Sequence, residues 1–179
     1  MKLQVKFFGF SVGLLSLLMS LAVSAQASST WSQWPSVGQA SLSWLWFDIY
    51  HSTLRTPSGQ YAGLQAPLAL QIRYQREISA QELLDATREQ WQKLGYTTEQ
   101  IEPWLRQLAT IFPNVTEGDQ LVYVSAGNSG HFYYQAKRQH QFERVGQITE
   151  AALNQAFIAI WLSPQTEYPK LRQQLIGAS

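Results

Sequence analysis

Two stretches in the first half of the chain have the side-chain alternation of β-strands. Residues 41–55 read SLSWLWFDIYHSTLR, and both of their alternating sets are largely apolar. Residues 68–76 alternate more regularly, with an apolar set on one face and a polar set on the other. The turn-rich sequence Thr-Pro-Ser-Gly begins the connection between them. The pattern predicts one strand from each stretch, paired antiparallel.

Two helices are predicted after these strands. Ser79 and Glu82 have the spacing of a capping box, which satisfies free amides at the start of a helix, and Gly95 is a natural residue at its end. The second helix is predicted to begin at Pro103, because proline is tolerated in the first turn, and to stop at Pro113.

The second half of the chain returns to strands and then to helices. Strands are predicted over residues 120–125, 131–135 and 141–145. Thr149 is predicted to cap an apolar helix over residues 151–162, and a short helix follows from Pro169 to Gly177. The order β-β-α-α-β-β-β-α-α predicts the α+β class, an antiparallel sheet with helices packed on one face.

The N-terminal 27 residues have the composition of a signal peptide. Lys2 and Lys6 precede the apolar run 7–23, and Ala25-Gln26-Ala27 fits a cleavage site. An uncleaved anchor is the alternative, since about 17 apolar residues lie at the lower limit for a membrane span. We expect cleavage after Ala27, export to the periplasm without stable membrane insertion, and a single domain over residues 28–179.

Charge and motif content exclude several function classes. Residues 1–27 contain two of the 13 basic residues and none of the 12 acidic ones, so the rest of the chain has a formal charge of −1. A nucleic-acid partner is therefore not expected, because no basic patch could meet the phosphates. The three histidines lack metal-ligand spacing, and no phosphate loop or nucleophile motif occurs. We expect no metal, no cofactor and no catalytic residue of these kinds.

One carboxylate lies among aromatic residues in the first predicted strand. Asp48 is flanked on its own face by Trp46 and Tyr50, so burial would raise its pKa. In an antiparallel pair, Asp48 would lie near Tyr74 and diagonally within reach of Arg76. Two interpretations are open: a structural polar cluster, or an aromatic pocket in which Arg76 binds an anionic group.

Several segments carry a resemblance to a known family. They are Gly38 and the sequences WLWFDIYHSTL, ALQIRYQREIS, FPNVTEGDQL, AFIAIWLSPQT and LRQQLIG. In these segments the chain resembles the chalcone isomerase fold family, specifically its branch of exported bacterial chalcone isomerase-like domains. The resemblance implies an open-faced β-sandwich with a ligand cleft between the sheet and the helices.

The resemblance implies several possible activities. Plant chalcone isomerases close a flavonoid ring, and related plastid proteins bind fatty acids. The isomerases' Arg, Thr, Tyr and Asn fall near Ser36, Asp48, Ser79 and Ala86 of this chain, and none of the four types is kept. Without a guanidinium or a phenol at these positions, little stabilisation of a reacting oxygen would remain.

The function expected from the sequence is therefore binding without catalysis. The ligand would be a lipophilic, anionic small molecule similar to a fatty acid. An envelope protein with a structural or partner-binding role, or an isomerase of the family's type, is the alternative, and the oligomeric state is left open. The candidate ligand-binding residues are Asp48, Tyr74, Arg76, Trp46 and Tyr50.

Overall fold

A computed structural model of the protein describes residues 30–44 and 47–178. The expected signal segment and Trp46 lie outside the described residues. A short 3-10 helix, Thr30–Gln33, precedes six strands and four α-helices in this part of the chain. The strands are β1 (Ser36–Trp44), β2 (Phe47–Arg55), β3 (Leu68–Tyr74), β4 (Gln120–Ser125), β5 (Gly130–Gln135) and β6 (Glu143–Ile148). The helices are α1 (Ala80–Lys93), α2 (Thr98–Leu108), α3 (Ala151–Leu162) and α4 (Pro169–Leu175).

The strands form one antiparallel sheet in which each strand pairs with its neighbour in the chain. Alternation gives the sheet an inner and an outer face. In β3 the residues Leu68, Leu70, Ile72 and Tyr74 are buried, whereas Arg73 on the other face is exposed. The predicted α+β class, the open antiparallel sheet and the pairing of β2 with β3 are confirmed.

The helices cover the inner face and share its core. Phe157 of α3 packs edge-on against Tyr123 and Phe132, with ring centroids 4.9 and 5.1 Å apart. The indole N–H of Trp91 in α1 donates to the Ala156 carbonyl of α3 at 2.9 Å, which fixes these helices to each other. None of the helices in the described ranges is both long and apolar enough to cross a membrane.

The first strand and the last helix also meet in this layer. Gly38 of β1 lies directly against the backbone carbonyls of Gln174 and Leu175 in α4. A Cβ atom at position 38 would come within 2.7 Å of the Leu175 oxygen and closer still to that of Gln174. The close approach of α4 to the sheet therefore requires a glycine at this position.

The prediction of one strand over residues 41–55 is wrong, because this stretch is a hairpin. Trp44 at the end of β1 pairs with Phe47 at the start of β2. The stretch has no Gly, Pro or Asn that would mark a turn, so the sequence pattern of alternation continues through it. Within β2 the predicted face holds, since Ser52 and Leu54 are buried and Tyr50 is half-buried.

The outer face of the sheet is only partly covered. Trp31, from the N-terminal 3-10 helix, packs on Ala69 and Val122. Beside them a row of amides crosses three strands, from Gln71 through Gln120 to Gln135, with hydrogen bonds of 2.6 and 2.9 Å. The apolar residues on both faces of the stretch 41–55 therefore do not indicate a second layer of structure that covers the whole outer face of the sheet.

Three further boundaries differ from the sequence prediction. Helix α2 begins at Thr98 rather than at Pro103, because Gln100 accepts the free Thr97 amide at 3.0 Å, an N-terminal cap that the prediction overlooked. Helix α3 has Glu150 rather than Thr149 at its cap, without a side-chain hydrogen bond. Strand β6 covers Glu143–Ile148, so it begins two residues and ends three residues later than predicted.

Candidate functional site

A cavity of about 170 Å³ lies between the inner face of the sheet and the helices. Its wall is almost entirely apolar and is built from both layers. Strands β1 and β3 contribute aliphatic side chains, α1 contributes leucine, and α3 contributes an aromatic ring. Representative wall residues are Leu42, Ile72, Leu83, Phe112, Phe157 and Ile160. Such a concave apolar space is the usual form of a small-molecule site.

Two tyrosines provide hydroxyl groups to this apolar wall. Tyr50 of β2 and Tyr74 of β3 are direct partners in the strand register, so strand alternation turns both toward the helices. Both line the cavity. The indole N–H of Trp161 in α3 donates to the Tyr50 hydroxyl oxygen at 2.9 Å. The sheet and a helix therefore fix the position of this phenol together.

Both phenols remain protonated over the physiological pH range. Burial raises the pKa of Tyr50 well above its usual value, and the hydrogen bond from Trp161 offsets only part of that effect. Burial also raises the pKa of Tyr74, and the neighbouring Tyr50 adds to the shift. The two groups are thus neutral hydrogen-bond donors at neutral pH.

The mouth of the cavity is more polar than its interior. Exposed Glu82 and Ala86 of α1 belong to its lining, as does half-buried Tyr168. Hydrogen bonds from the backbone and hydroxyl of Ser79, both 2.7 Å long, lower the pKa of Glu82, and Arg76 contributes a smaller electrostatic effect. Among the described lining residues Glu82 is the one Asp or Glu, and there is no Lys or Arg.

The structure brings two of the five candidate ligand-binding residues to the cavity. Tyr50 and Tyr74 lie together at the cavity. The expected burial of Asp48 is wrong: its side chain is exposed, and it accepts a hydrogen bond from Ser43 at 2.5 Å. Arg76 is exposed as well. Trp46 lies outside the described residues.

Asp48 and Arg76 are near each other through the pairing of their backbone segments only. The Gln75 amide donates to the Ile49 carbonyl at 3.0 Å, which continues the pairing of β2 and β3 toward the two residues. No salt bridge joins their side chains within the described ranges. Asp48 lies one residue from the start of β2 and does not belong to the cavity wall, whereas Tyr50 on the same face does.

Sequence reasoning missed Trp161 and Glu82 as site residues. Trp161 was overlooked because it belongs to a strongly apolar helix. Its indole N–H is nevertheless a polar group that needs a hydrogen-bond acceptor when buried. Glu82 was recognised only as part of a helix cap. In the described part of the chain, no group of three or more His, Cys, Asp and Glu side chains is placed to hold a metal ion.

Comparison with known proteins adds one family and one relative. A family model described as chalcone isomerase-like matches residues 43–177. An uncharacterized protein of Haemophilus influenzae is 27% identical over 152 residues, which cover 84% of this chain and 72% of the relative. The family match includes both cavity tyrosines and extends from the end of β1 through α4.

Proposed function

The chain belongs to the chalcone isomerase-like family, and we propose that it binds a lipophilic small molecule in the cavity between sheet and helices, without a catalytic step. The observation that carries the proposal is the composition of the cavity wall. Side chains of both layers make it apolar, and buried hydroxyl groups interrupt it at Tyr50 and Tyr74. An apolar wall with few convergent polar groups is typical of sites that orient a ligand.

The size of the cavity limits how much of a ligand it encloses. A dry apolar cavity of about 150 Å³ is known to take up benzene, and this cavity measures about 170 Å³. One ring or a short alkyl segment therefore fits inside. The remainder of a longer molecule would extend past the exposed residues Glu82 and Ala86 at the mouth.

The charge of the lining gives no support to an anionic head group inside the cavity. Without a Lys or Arg in the described lining, a buried carboxylate would lack a charged partner, and burial of an unpaired charge is costly. Arg76 is exposed and acts on Glu82, so an anion at the mouth would meet a carboxylate as well as a guanidinium. We therefore propose a lipophilic ligand without the anionic group that the sequence suggested.

The ionisable groups of the lining also favour binding over catalysis. A general acid or base works best with a pKa near the working pH. The phenols of Tyr50 and Tyr74 have pKa values raised further from neutrality, and Glu82 has a lowered one. None of the three is tuned for proton transfer at neutral pH.

Ligand uptake can be tested by native mass spectrometry of protein purified from its own cell compartment. We expect a bound lipophilic molecule, or uptake of one ring-sized probe when methylcyclohexane is added. Ala86→Phe should block uptake because it obstructs the mouth, whereas Ala109→Phe, at an exposed position outside the lining, should not. A bare mass together with no uptake of added probe would count against the proposal.

We also propose that the domain works outside the cytoplasm. The support is the sequence of residues 1–27, with its basic start, apolar run and Ala25-Gln26-Ala27 site. Intact-mass measurement of the protein from its native host should show a chain that begins at Ser28. A mass that includes Met1 would instead indicate an uncleaved segment.

A further inference from the structure

The hydrogen bonds of Tyr50 and Tyr74 are incomplete. The indole nitrogen of Trp161 can only donate, so the bond of 2.9 Å uses a lone pair of the Tyr50 oxygen and leaves its proton without a partner. For Tyr74, burial and the nearby Tyr50 are the influences on the hydroxyl, and no hydrogen bond is among them. Two O–H groups thus have no acceptor among the described residues.

The other polar side chains of the described lining accept no hydrogen bond from either phenol, and their own bonds lead elsewhere. The Thr87 hydroxyl donates to the Leu83 carbonyl at 2.8 Å. The Gln90 amide donates to Glu167 at 2.8 Å, and Glu82 accepts from Ser79. A molecule in the cavity can therefore supply the acceptor that the two phenols lack.

An unmade hydrogen bond at a poorly solvated donor is costly. Tyr74 is 4% exposed and both tyrosines line the cavity, so their hydroxyls are reached from the cavity. The direct pairing of Tyr50 and Tyr74 across β2 and β3 places the two side chains beside each other on the inner face, where both line the cavity. One oxygen atom with two lone pairs can satisfy both.

We infer that the ligand is an uncharged carbonyl compound whose oxygen accepts hydrogen bonds from the Tyr50 and Tyr74 hydroxyls. The inference rests on the proposed binding function and specifies the chemistry of its ligand. Trp161 is a positioning residue: it occupies one lone pair of Tyr50 and thereby directs the Tyr50 proton away from α3. A carboxylate is disfavoured because the described lining offers it no cation.

Three probes of similar size separate the possibilities: cyclohexanone, methylcyclohexane and cyclohexanecarboxylate. Binding of each is measured by calorimetry or ligand-observed NMR. Tyr50→Phe and Tyr74→Phe should each weaken cyclohexanone binding about fivefold to tenfold, the loss of one hydrogen bond. The affinity for methylcyclohexane should change less than about twofold, since this probe cannot accept a hydrogen bond from the removed hydroxyl. Tyr133→Phe, which alters a tyrosine on the outer face, is the matched control and should affect neither probe.

Infrared spectroscopy tests the contact directly. The C=O stretch of bound cyclohexanone should lie at lower frequency than in cyclohexane solution, and each Tyr→Phe change should move it back partway. Trp161→Phe removes the indole N–H and should broaden this band and weaken ketone binding, with little effect on methylcyclohexane. The wild-type spectrum serves as the test even if one of the variants fails to fold.

The outcomes distinguish this inference from the binding function itself. If the Tyr→Phe changes affect cyclohexanone and methylcyclohexane equally, or if the carboxylate binds more tightly than the ketone, the inference is overturned while the binding function stands. If the wild-type protein binds none of the three probes and carries no native ligand, both are overturned.

Discussion

At the scale of single residues, exposure reverses one expectation from the sequence. Phe47 belongs to an aromatic run of a stretch with two apolar faces, which predicts a buried side chain, but Phe47 is 64% exposed. We expect Phe47→Ala to lower the free energy of unfolding by at most about 1 kcal/mol, the range of strand propensity. Leu54→Ala in the same strand removes a fully buried side chain and should cost about 2–5 kcal/mol. Urea unfolding of both variants measures the contrast, and similar losses would contradict the position of the hairpin.

Asp119 is the carboxylate with the fullest set of hydrogen-bond donors in the described chain. It accepts from the Thr116 amide at 2.8 Å and its hydroxyl at 3.1 Å, from the Tyr134 hydroxyl at 2.8 Å, and from the Lys137 amide at 2.8 Å. Burial acts to raise the pKa of Asp119, but the hydrogen bonds outweigh it and the net pKa is lowered. The charged form therefore stabilises the fold.

This arrangement predicts a stability that depends on pH. Because the folded pKa of Asp119 lies below the unfolded value of about 3.9, its contribution is complete above that value and is lost as pH falls through the folded pKa. Asp119→Asn should lower the free energy of unfolding by about 1–3 kcal/mol at pH 7 and by less at pH 3. Glu117→Gln, at an exposed position of the same loop, should change little at either pH. An equal loss at both pH values for Asp119→Asn would refute the charge argument.

Strand alternation made one property of the site residues predictable, which is the face of the sheet that they occupy. The face shared by Tyr50 and Tyr74 follows from strand periodicity. The register was not predicted correctly, because the sequence placed Asp48 near Tyr74 where the structure has Tyr50. The exposure of Asp48 and Phe47 could not be read from the pattern, because an aromatic run looks the same in a buried strand and at the end of a hairpin. Trp161 joins the site through packing of α3 on β2, a contact between residues 111 positions apart.

At the scale of elements, helix α2 contains a proline that its geometry does not favour. Pro103 lies inside the helix rather than in its first turn, so the Glu99 carbonyl lacks its usual N–H partner. Pro103→Ala restores that hydrogen bond but loses the stiffness of proline in the unfolded chain, worth about 0.4–1 kcal/mol. We expect a net gain of about 1–2 kcal/mol in the free energy of unfolding.

Thermal unfolding is the measurement for Pro103→Ala, with Arg106→Ala in the same helix as a control that should stay within about 0.5 kcal/mol. A loss of stability in Pro103→Ala would show that the proline ring packs usefully against its surroundings. The existence of α2 was predictable from its apolar positions, but its start was not. A proline is a strong signal for a first turn and concealed the weaker signal of Thr97 and Gln100.

At the scale of the whole molecule, the sheet and helix layers meet tightly at Gly38. Gly38→Ala would force the carbonyls of Gln174 and Leu175 away from β1. We expect a loss of about 1–3 kcal/mol in the free energy of unfolding, the usual cost of overpacking. Gln39→Ala, one residue along and exposed, should be nearly neutral. Hydrogen exchange should show faster exchange in α4 for Gly38→Ala, and unchanged protection there would mean that α4 does not rest on this glycine.

The fold class was within reach of the sequence because each strand pairs with its neighbour in the chain. Local alternation and turn signals identify most of such a sheet, although the β1–β2 hairpin was missed because residues 41–55 contain no Gly, Pro or Asn. The contact between Gly38 and α4 has no local signal, since it depends on how the helix layer closes over the sheet. The cavity likewise has no local signal in the sequence, because its wall combines strands and helices that are distant in the chain.

The contact of Gly38 with α4 also has a consequence for how the protein is made. All pairs of described strands join neighbours, so the sheet can form progressively from its first strand onward. Strand β1 is the first of these strands in the chain, yet the helix that rests on it follows all of them. A chain that stops before Pro169 would therefore hold a complete sheet whose first strand has an uncovered inner surface at Gly38. Quality-control proteases would meet that surface in every interrupted product, and they would not meet it once α4 has docked.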